Sequence, residues 1–133
     1  SHQWVEQHFV QDGISVSSRN VLRGIHGDNC TWKFLSCLYG RLYLVVVNCD
    51  VMTPQFKQWQ SFILSDCNRH QVLVPPKHGV GYLVMSDQAI CFYKHSEYYL
   101  PQNQFTIPWD SLEYNIWWPR KDPILSLQDS APA

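Results

Sequence analysis

Apolar and polar residues alternate with a period near two along most of the chain, which is the repeat of half-buried strands. Residues 21–25 form a short run of this kind that ends at His26. Residues 32–39 and 41–48 are rich in aromatic and β-branched side chains and flank Gly40, which predicts a tight hairpin. Within the second run, Leu44-Val45-Val46-Val47 has no polar position, so a strand covered on both faces is expected there. Residues 58–64 predict another strand, closed by the polar turn Ser65-Asp66-Cys67-Asn68. Residues 71–74 stop at Pro75-Pro76, which has no amide hydrogens to continue a ladder. Residues 81–85 and 89–95 bracket a turn at Ser86-Asp87, and residues 105–109 predict one more short strand. The only weak helical pattern spans residues 4–9. Many short strands with frequent turns indicate an all-β sandwich or barrel. The C-terminal segment is rich in Pro, Ser and Asp, yet it carries Ile116, Trp117, Trp118, Ile124 and Leu125. An ordered, extended tail packed on the barrel is therefore expected.

Composition narrows the class. The 133 residues suit one domain over the whole chain, with residues 1–8 weakly ordered and Ser1-His2 read as a cloning remnant. Hydrophobic residues make up 45% and charged residues 16%, a globular balance. The net charge is −1 and the Lys and Arg residues are scattered, which argues against nucleic-acid and membrane partners. The longest apolar run, residues 42–47, is far too short to span a bilayer. No secretion signal is visible, and the five cysteines form no CxxC pair, which points to a reducing, cytoplasmic setting. Six tryptophans in so small a β domain suggest apolar surface beyond one core, met either by a homodimer or by the barrel wall itself.

Six histidines in a β barrel invite a metal reading. The closely spaced pair of histidines and third ligand of a cupin metal site are not present: Gly27-Asp28-Asn29 follows His26, and His70, His78 and His95 stand apart. No metal is therefore expected. Proton transfer fits better. His26 at a strand end offers a base with a pKa of about 6.5. Lys33 offers a cation for a developing enolate oxygen, commonly the larger catalytic effect. Tyr93, on a strand far away in sequence, offers a proton from a different wall. Asp129 can hold the second N–H of the imidazole. Such a quartet inverts carbon beside a ketone. Each residue also has a plain alternative: a core or surface histidine, a solvated lysine, a core tyrosine and a loop carboxylate.

Several words in order carry a resemblance: Phe9-Val10-Gln11-Asp12; Asn20-Val21-Leu22-Arg23-Gly24-Ile25-His26; Pro54-Gln55-Phe56-Lys57-Gln58-Trp59; Phe92-Tyr93-Lys94 with Tyr98-Tyr99; Trp109-Asp110; and Pro123-Ile124-Leu125-Ser126-Leu127-Gln128-Asp129. From Phe9 onward the chain resembles the dTDP-4-dehydrorhamnose 3,5-epimerase family. The resemblance implies a cupin-type jelly roll without metal or cofactor. It also implies a homodimer acting on a nucleotide-diphosphate 4-keto sugar. It assigns His26 as base, Asp129 as its acid partner, Lys33 to the ketone oxygen and Tyr93 as general acid. It further gives Arg23 to the diphosphate, Gln11 to the nucleotide end and Tyr98 to the sugar or base. The family's N-terminal Asp-Glu-Arg-Gly word is missing from the sequence, which suggests a truncated form or a shorter branch. The loop from His26 to Lys33 is short and resembles a branch acting on GDP-linked 4-keto heptoses, which shares the word Arg-Gly-Ile-His-Gly-Asp. A family histidine falls at Val80. A silent sugar-nucleotide or carbohydrate-binding module, or an isomerase moving the ketone between C3 and C4, are the competing readings.

Overall fold

The structure is a computed structural model and describes residues 8–126 and residue 129. The weak helical pattern at residues 4–9 lies outside the described residues except for His8 and Phe9, which are not helical. The strands are β1 (Gln11–Ser18), β2 (Val21–Asp28), β3 (Lys33–Tyr39), β4 (Arg41–Asn48), β5 (Trp59–Ser65), β6 (Gln71–Val74), β7 (His78–Val84), β8 (Gln88–His95), β9 (Gln104–Thr106) and β10 (Ile124–Leu125). They form a four-stranded sheet in the order β1-β8-β3-β6 and a six-stranded sheet in the order β10-β2-β7-β4-β5, with β9 also on β2. All pairs are antiparallel except β10 with β2.

The tight turns do not make hairpins. Strands β3 and β4, on either side of Gly40, lie in different sheets and do not pair, and the same holds for β7 and β8 around Ser86-Asp87. The hairpin expected at Gly40 is thus a corner between layers. Gly40 takes φ +85°, and a Cβ there would stand 2.2 Å from the Gln88 carbonyl oxygen, so the corner requires glycine. Strands β1/β2 and β5/β6 also switch layers, which is the connectivity of a jelly roll.

Strand β1 was not expected from the pattern. Its inward residues are Gln11, Gly13, Ser15 and Ser17, while Ile14 and Val16 are exposed. The usual code is inverted because this strand turns polar groups toward the interior.

Two apolar clusters hold the layers. Leu35, Leu42, Leu44, Leu64, Val74, Val84 and Cys91 pack between the sheets. Leu22, Ile25, Val45, Val47, Leu83 and Trp118 pack on the outer face of the larger sheet. At about 1.5–3 kcal/mol for each fully buried large side chain, these clusters dominate stabilisation. Strand β4 feeds both clusters with alternate residues, so Leu44, Val45 and Val47 are all buried as expected. The C-terminal segment supplies the outer cover. Tyr43 sits edge-on to Trp117 and Trp118 with centroids 5.7 Å away, and its hydroxyl donates to the Trp117 carbonyl at 2.7 Å. Trp109 and Trp118 thus serve the domain's own wall.

The register leaves one end of the interior polar. Gln11 and Lys33 both pair with His95, from β1 and β3 on either side of β8.

Candidate active site

The site begins with an irregularity in β2. The pairing of β2 with β7 shifts register between Arg23 and His26. One extra residue is accommodated there, so Arg23 and His26 point to the same face although three positions apart. Gly24 makes this possible: φ is +126°, and a Cβ would meet Gly81 Cα at 2.5 Å and the Val80 oxygen at 2.7 Å. Ile25 turns outward over Gly79 and Gly81, whose missing side chains leave it room. Residue-level alternation carried straight through this segment would have sent His26 into the outer cluster.

His26 meets Asp129 as the sequence suggests. The imidazole Nε2 lies 2.9 Å from Asp129 Oδ1, and the carboxylate is almost fully buried. Among the described residues Oδ1 has no aligned donor, whereas Oδ2 accepts the Gly24 backbone N–H at 3.2 Å. The distance decides between these two observations: with no competing donor at Oδ1, a small turn of the ring aligns Nε2–H with it. The bulge therefore both aims His26 and frees the amide that pins its partner. With Nε2 protonated, Nδ1 carries the lone pair, and among the described residues its hydrogen-bond contact is the Thr106 hydroxyl at 3.4 Å. Burial lowers the His26 pKa, and the Lys33 ammonium adds to this, while the Asp129 charge and hydrogen bond raise it.

Lys33 reaches the same place from the opposite sheet. Its Nζ lies 3.5 Å from the His26 carbonyl oxygen, a long contact that leaves the ammonium free to turn. Burial pulls its pKa below the ordinary lysine value, with Asp28 opposing. Asp28 is a site residue the sequence reading passed over. It is buried, and its carboxylate accepts from Gln104 Nε2 and from the Cys30 amide at 2.8 Å. It is the counter-charge for a buried lysine.

Tyr93 is on β8, in the sheet facing β2, and packs against the inter-sheet cluster. His26 and Tyr93 thus belong to opposing walls. Val80, where the resembling family carries a histidine, pairs directly with His26. His95 does not stand alone: it is stacked on Tyr93 with centroids 5.3 Å apart.

The remaining expected residues lie around the seam between β1 and β2. Arg23 Nε donates to Ser17 Oγ at 2.7 Å, bridging the two sheets. Gln11 Oε1 accepts the Tyr99 N–H at 3.1 Å, so its amide holds the segment after β8 as well as facing inward. Tyr98 is 67% exposed and is not gathered around His26. Among the described residues no cluster of three metal-ligating side chains occurs. One hollow, of about 420 Å³, lies at the opposite seam between β5 and β6, lined by Asn48, Gln60, Phe62, Val72 and His78 among others. It does not include the His26 group, and the chemistry decides in favour of the latter.

A replacement tests the dyad. Asp129→Asn removes the two influences that raise the His26 pKa, so the acid limb of activity should move further below 6.5. The rate itself should fall by about 10-fold to 100-fold as the ring loses its fixed tautomer. An unchanged limb in a pH–rate profile would remove Asp129 from this role.

A jelly roll of this connectivity, with a histidine–carboxylate pair on one sheet and a tyrosine and a buried lysine on the facing sheet, defines a cupin-type fold. The comparisons with known proteins agree. The family model for dTDP-4-dehydrorhamnose 3,5-epimerase matches residues 1–133. The dTDP-4-dehydrorhamnose 3,5-epimerase of Salmonella typhimurium is 36% identical over 127 residues, spanning 92% of this chain and 69% of that enzyme. The Bacillus anthracis enzyme with TDP and PPi bound superposes with a TM-score of 0.91 at 35% identity, covering 94% of this chain and 74% of that one. ChmJ, a 3'-monoepimerase from Streptomyces bikiniensis in complex with dTDP-quinovose, gives 0.85 at 27% identity, covering 91% and 63%. The chain belongs to the dTDP-4-dehydrorhamnose 3,5-epimerase family.

Proposed function

We propose that the chain is an isomerase that epimerises a nucleotide-linked 4-keto sugar at C3, C5 or both, without a metal. The carrying observation is the His26 Nε2–Asp129 Oδ1 contact at 2.9 Å, on a wall facing the one that bears Tyr93. In this reading His26 Nδ1 takes the proton from the carbon beside the ketone. Lys33 stabilises the enolate oxygen, and Tyr93 returns a proton from the opposite face. Arg23, at the β1/β2 seam, takes the diphosphate through the guanidinium nitrogens that Ser17 leaves unused. Gln11 lines the nucleotide end, and Tyr98 serves the sugar or base.

Two further expectations belong to this reading. The working form is a homodimer: Ile14 and Val16 are 60% and 58% exposed on the outer face of the smaller sheet, beside half-buried Phe34 and Phe92. The compartment is the cytoplasm; no helix among the described residues is long and apolar enough to cross a membrane.

The test is incubation with dTDP- and GDP-linked 4-keto sugars in deuterated water, followed by NMR. Deuterium at C3 or C5 with an inverted product supports the proposal. Binding without exchange points to a silent module, and a shifted ketone to the isomerase that moves it. The pH profile is a second test. His26 must be neutral to act as base, and its lowered pKa keeps it so at neutral pH, so activity should fail on acidification only below 6.5. Lys33 must be charged, so the alkaline limb should fall below 10.5. An acid limb above 6.5 would contradict the role of His26.

A further inference from the structure

We propose that Gly13 and His95 are positioning residues for the Tyr93 phenol, fixing the direction from which the second proton is delivered. The inference rests on the epimerase reading and extends it to two residues outside the quartet.

Gly13 pairs directly with Tyr93 across β1 and β8. Its φ is not in the left-handed region, so the backbone alone does not call for glycine. Glycine inside a strand weakens it, since nothing packs and more chain entropy is lost. What glycine provides here is space. A Cβ on Gly13 would lie 2.2 Å from Tyr93 Cε2, 2.3 Å from Cζ and 2.5 Å from the hydroxyl oxygen. The phenol tip, the part that would carry the proton, lies flat on the β1 backbone at the one place where no side chain interferes. Alanine there forces the tip away, because the obstructing atoms belong to a ring hinged at χ1 and χ2.

His95 holds the ring from the side. Two residues along β8 and on the same face, its imidazole is stacked on Tyr93 with an interplanar angle of 29°. Lys33 pairs with His95 from β3, Gln11 from β1, and Asp28 contributes its charge from the end of β2. Burial, and next the Lys33 ammonium, lower the His95 pKa, with Asp28 opposing. The ring is thus neutral at neutral pH and acts by shape: a flat wall that stops the phenol swinging toward the mouth of the interior. No other residue among those described is stacked on the Tyr93 ring.

A cross-strand aromatic covering a glycine also stabilises sheets without any catalytic purpose. The experiment separates the two roles. Deuterium exchange into dTDP- and GDP-linked 4-keto sugars, and inversion of the product, are followed for the full chain and for Gly13→Ala, His95→Ala and His95→Phe, with thermal melting alongside. Gly13→Ala should lower kcat for inversion about 100-fold, the scale of an ångström's displacement, with KM changed less than about 3-fold. The same change made in a Tyr93→Phe background should have no further effect on inversion, since the group it displaces is gone. His95→Ala should lower kcat in the same sense, and His95→Phe should restore most of it. Ring-to-ring NOEs between residues 93 and 95 should be present in the unaltered chain and lost in Gly13→Ala. Loss of melting temperature with kcat intact in Gly13→Ala and His95→Ala would show a merely structural pair and overturn the proposal. Absence of the NOE in the unaltered chain would do the same. If the unaltered chain exchanges neither proton, the epimerase reading itself falls, and this inference with it.

Discussion

His26→Asn abolishes proton exchange at the sugar carbons while the chain keeps its fold. The loss expected is on the order of 1,000-fold, within the 100-fold to 10,000-fold range of general-base catalysis. Asparagine has no group that can take a proton from carbon at neutral pH. A glutamine variant shares that loss, but its Nε2 matches the reach of the imidazole Nε2 and can still donate to Asp129 Oδ1, which is buried and, among the described residues, otherwise has no aligned donor. That matters for the control. Removing the ring without a replacement donor, as in His26→Ala, leaves a buried carboxylate oxygen unpartnered at a cost of about 1–3 kcal/mol. The glutamine and alanine variants should therefore share the activity loss and differ in stability, with the alanine form melting lower. The His26 side chain is about one-third exposed, so neither change opens a large cavity. Deuterium uptake by NMR and thermal melts by circular dichroism read the two effects separately. Exchange persisting in the asparagine form would take the base role from His26.

Much of this site was legible in the residues, and the reason is local. Arg41–Asn48 and Gln71–Val74 match the expected strands because their burial alternates or saturates in the usual way. The quartet is named through resemblance to a family, since the residue types alone leave each with a plain alternative; the structure puts His26 beside Asp129 and within reach of Lys33. What stayed hidden depends on long-range placement. A one-residue turn at Gly40 looks the same whether it joins paired strands or two layers, and only the sheet order separates them. Strand β1 alternates, yet its polar residues face inward, so a hydrophobicity pattern assigns it no core face. His95 looked solitary because its partners, Tyr93 at two residues' distance and Lys33 across the ladder, become neighbours only when β3 and β8 pair. Asp28 carries no signal of its own in the sequence. Its charge matters because Lys33, from the other sheet, is buried beside it.

Gly24→Ala couples the fold to the chemistry most directly, and its expected effect on stability is the largest. At φ +126° a side chain is strained whatever its size, and here there is no space either, since Gly81 Cα and the Val80 oxygen both lie within 2.7 Å of where Cβ would stand. Both obstructions are backbone of the neighbouring strand, so no rotamer change relieves them. The strain alone is worth about 1–3 kcal/mol, and the contact adds to it. Two relaxations are open to the chain. If the bulge survives and β2 moves off β7, the Gly24 N–H withdraws from Asp129 Oδ2 and the dyad loosens. If the bulge is lost, the register resets by one residue and His26 turns to the outer face, where Ile25 now packs against Gly79 and Gly81. Either route removes the base from its partner. The variant should melt well below the unaltered chain and should show no exchange even at temperatures where it remains folded. Folded protein with full exchange would mean that the bulge does not aim His26. A control at Gly81, whose φ is not left-handed, sharpens the reading. There a Cβ meets Ile25 Cγ1 at 3.0 Å, the Arg23 carbonyl oxygen at 3.2 Å and Trp118 Cη2 at 3.3 Å, looser contacts than at Gly24, two of them with side chains that can give way. Gly81→Ala should cost less stability than Gly24→Ala and keep measurable exchange, because it crowds the outer cluster while leaving the backbone that carries His26 in register.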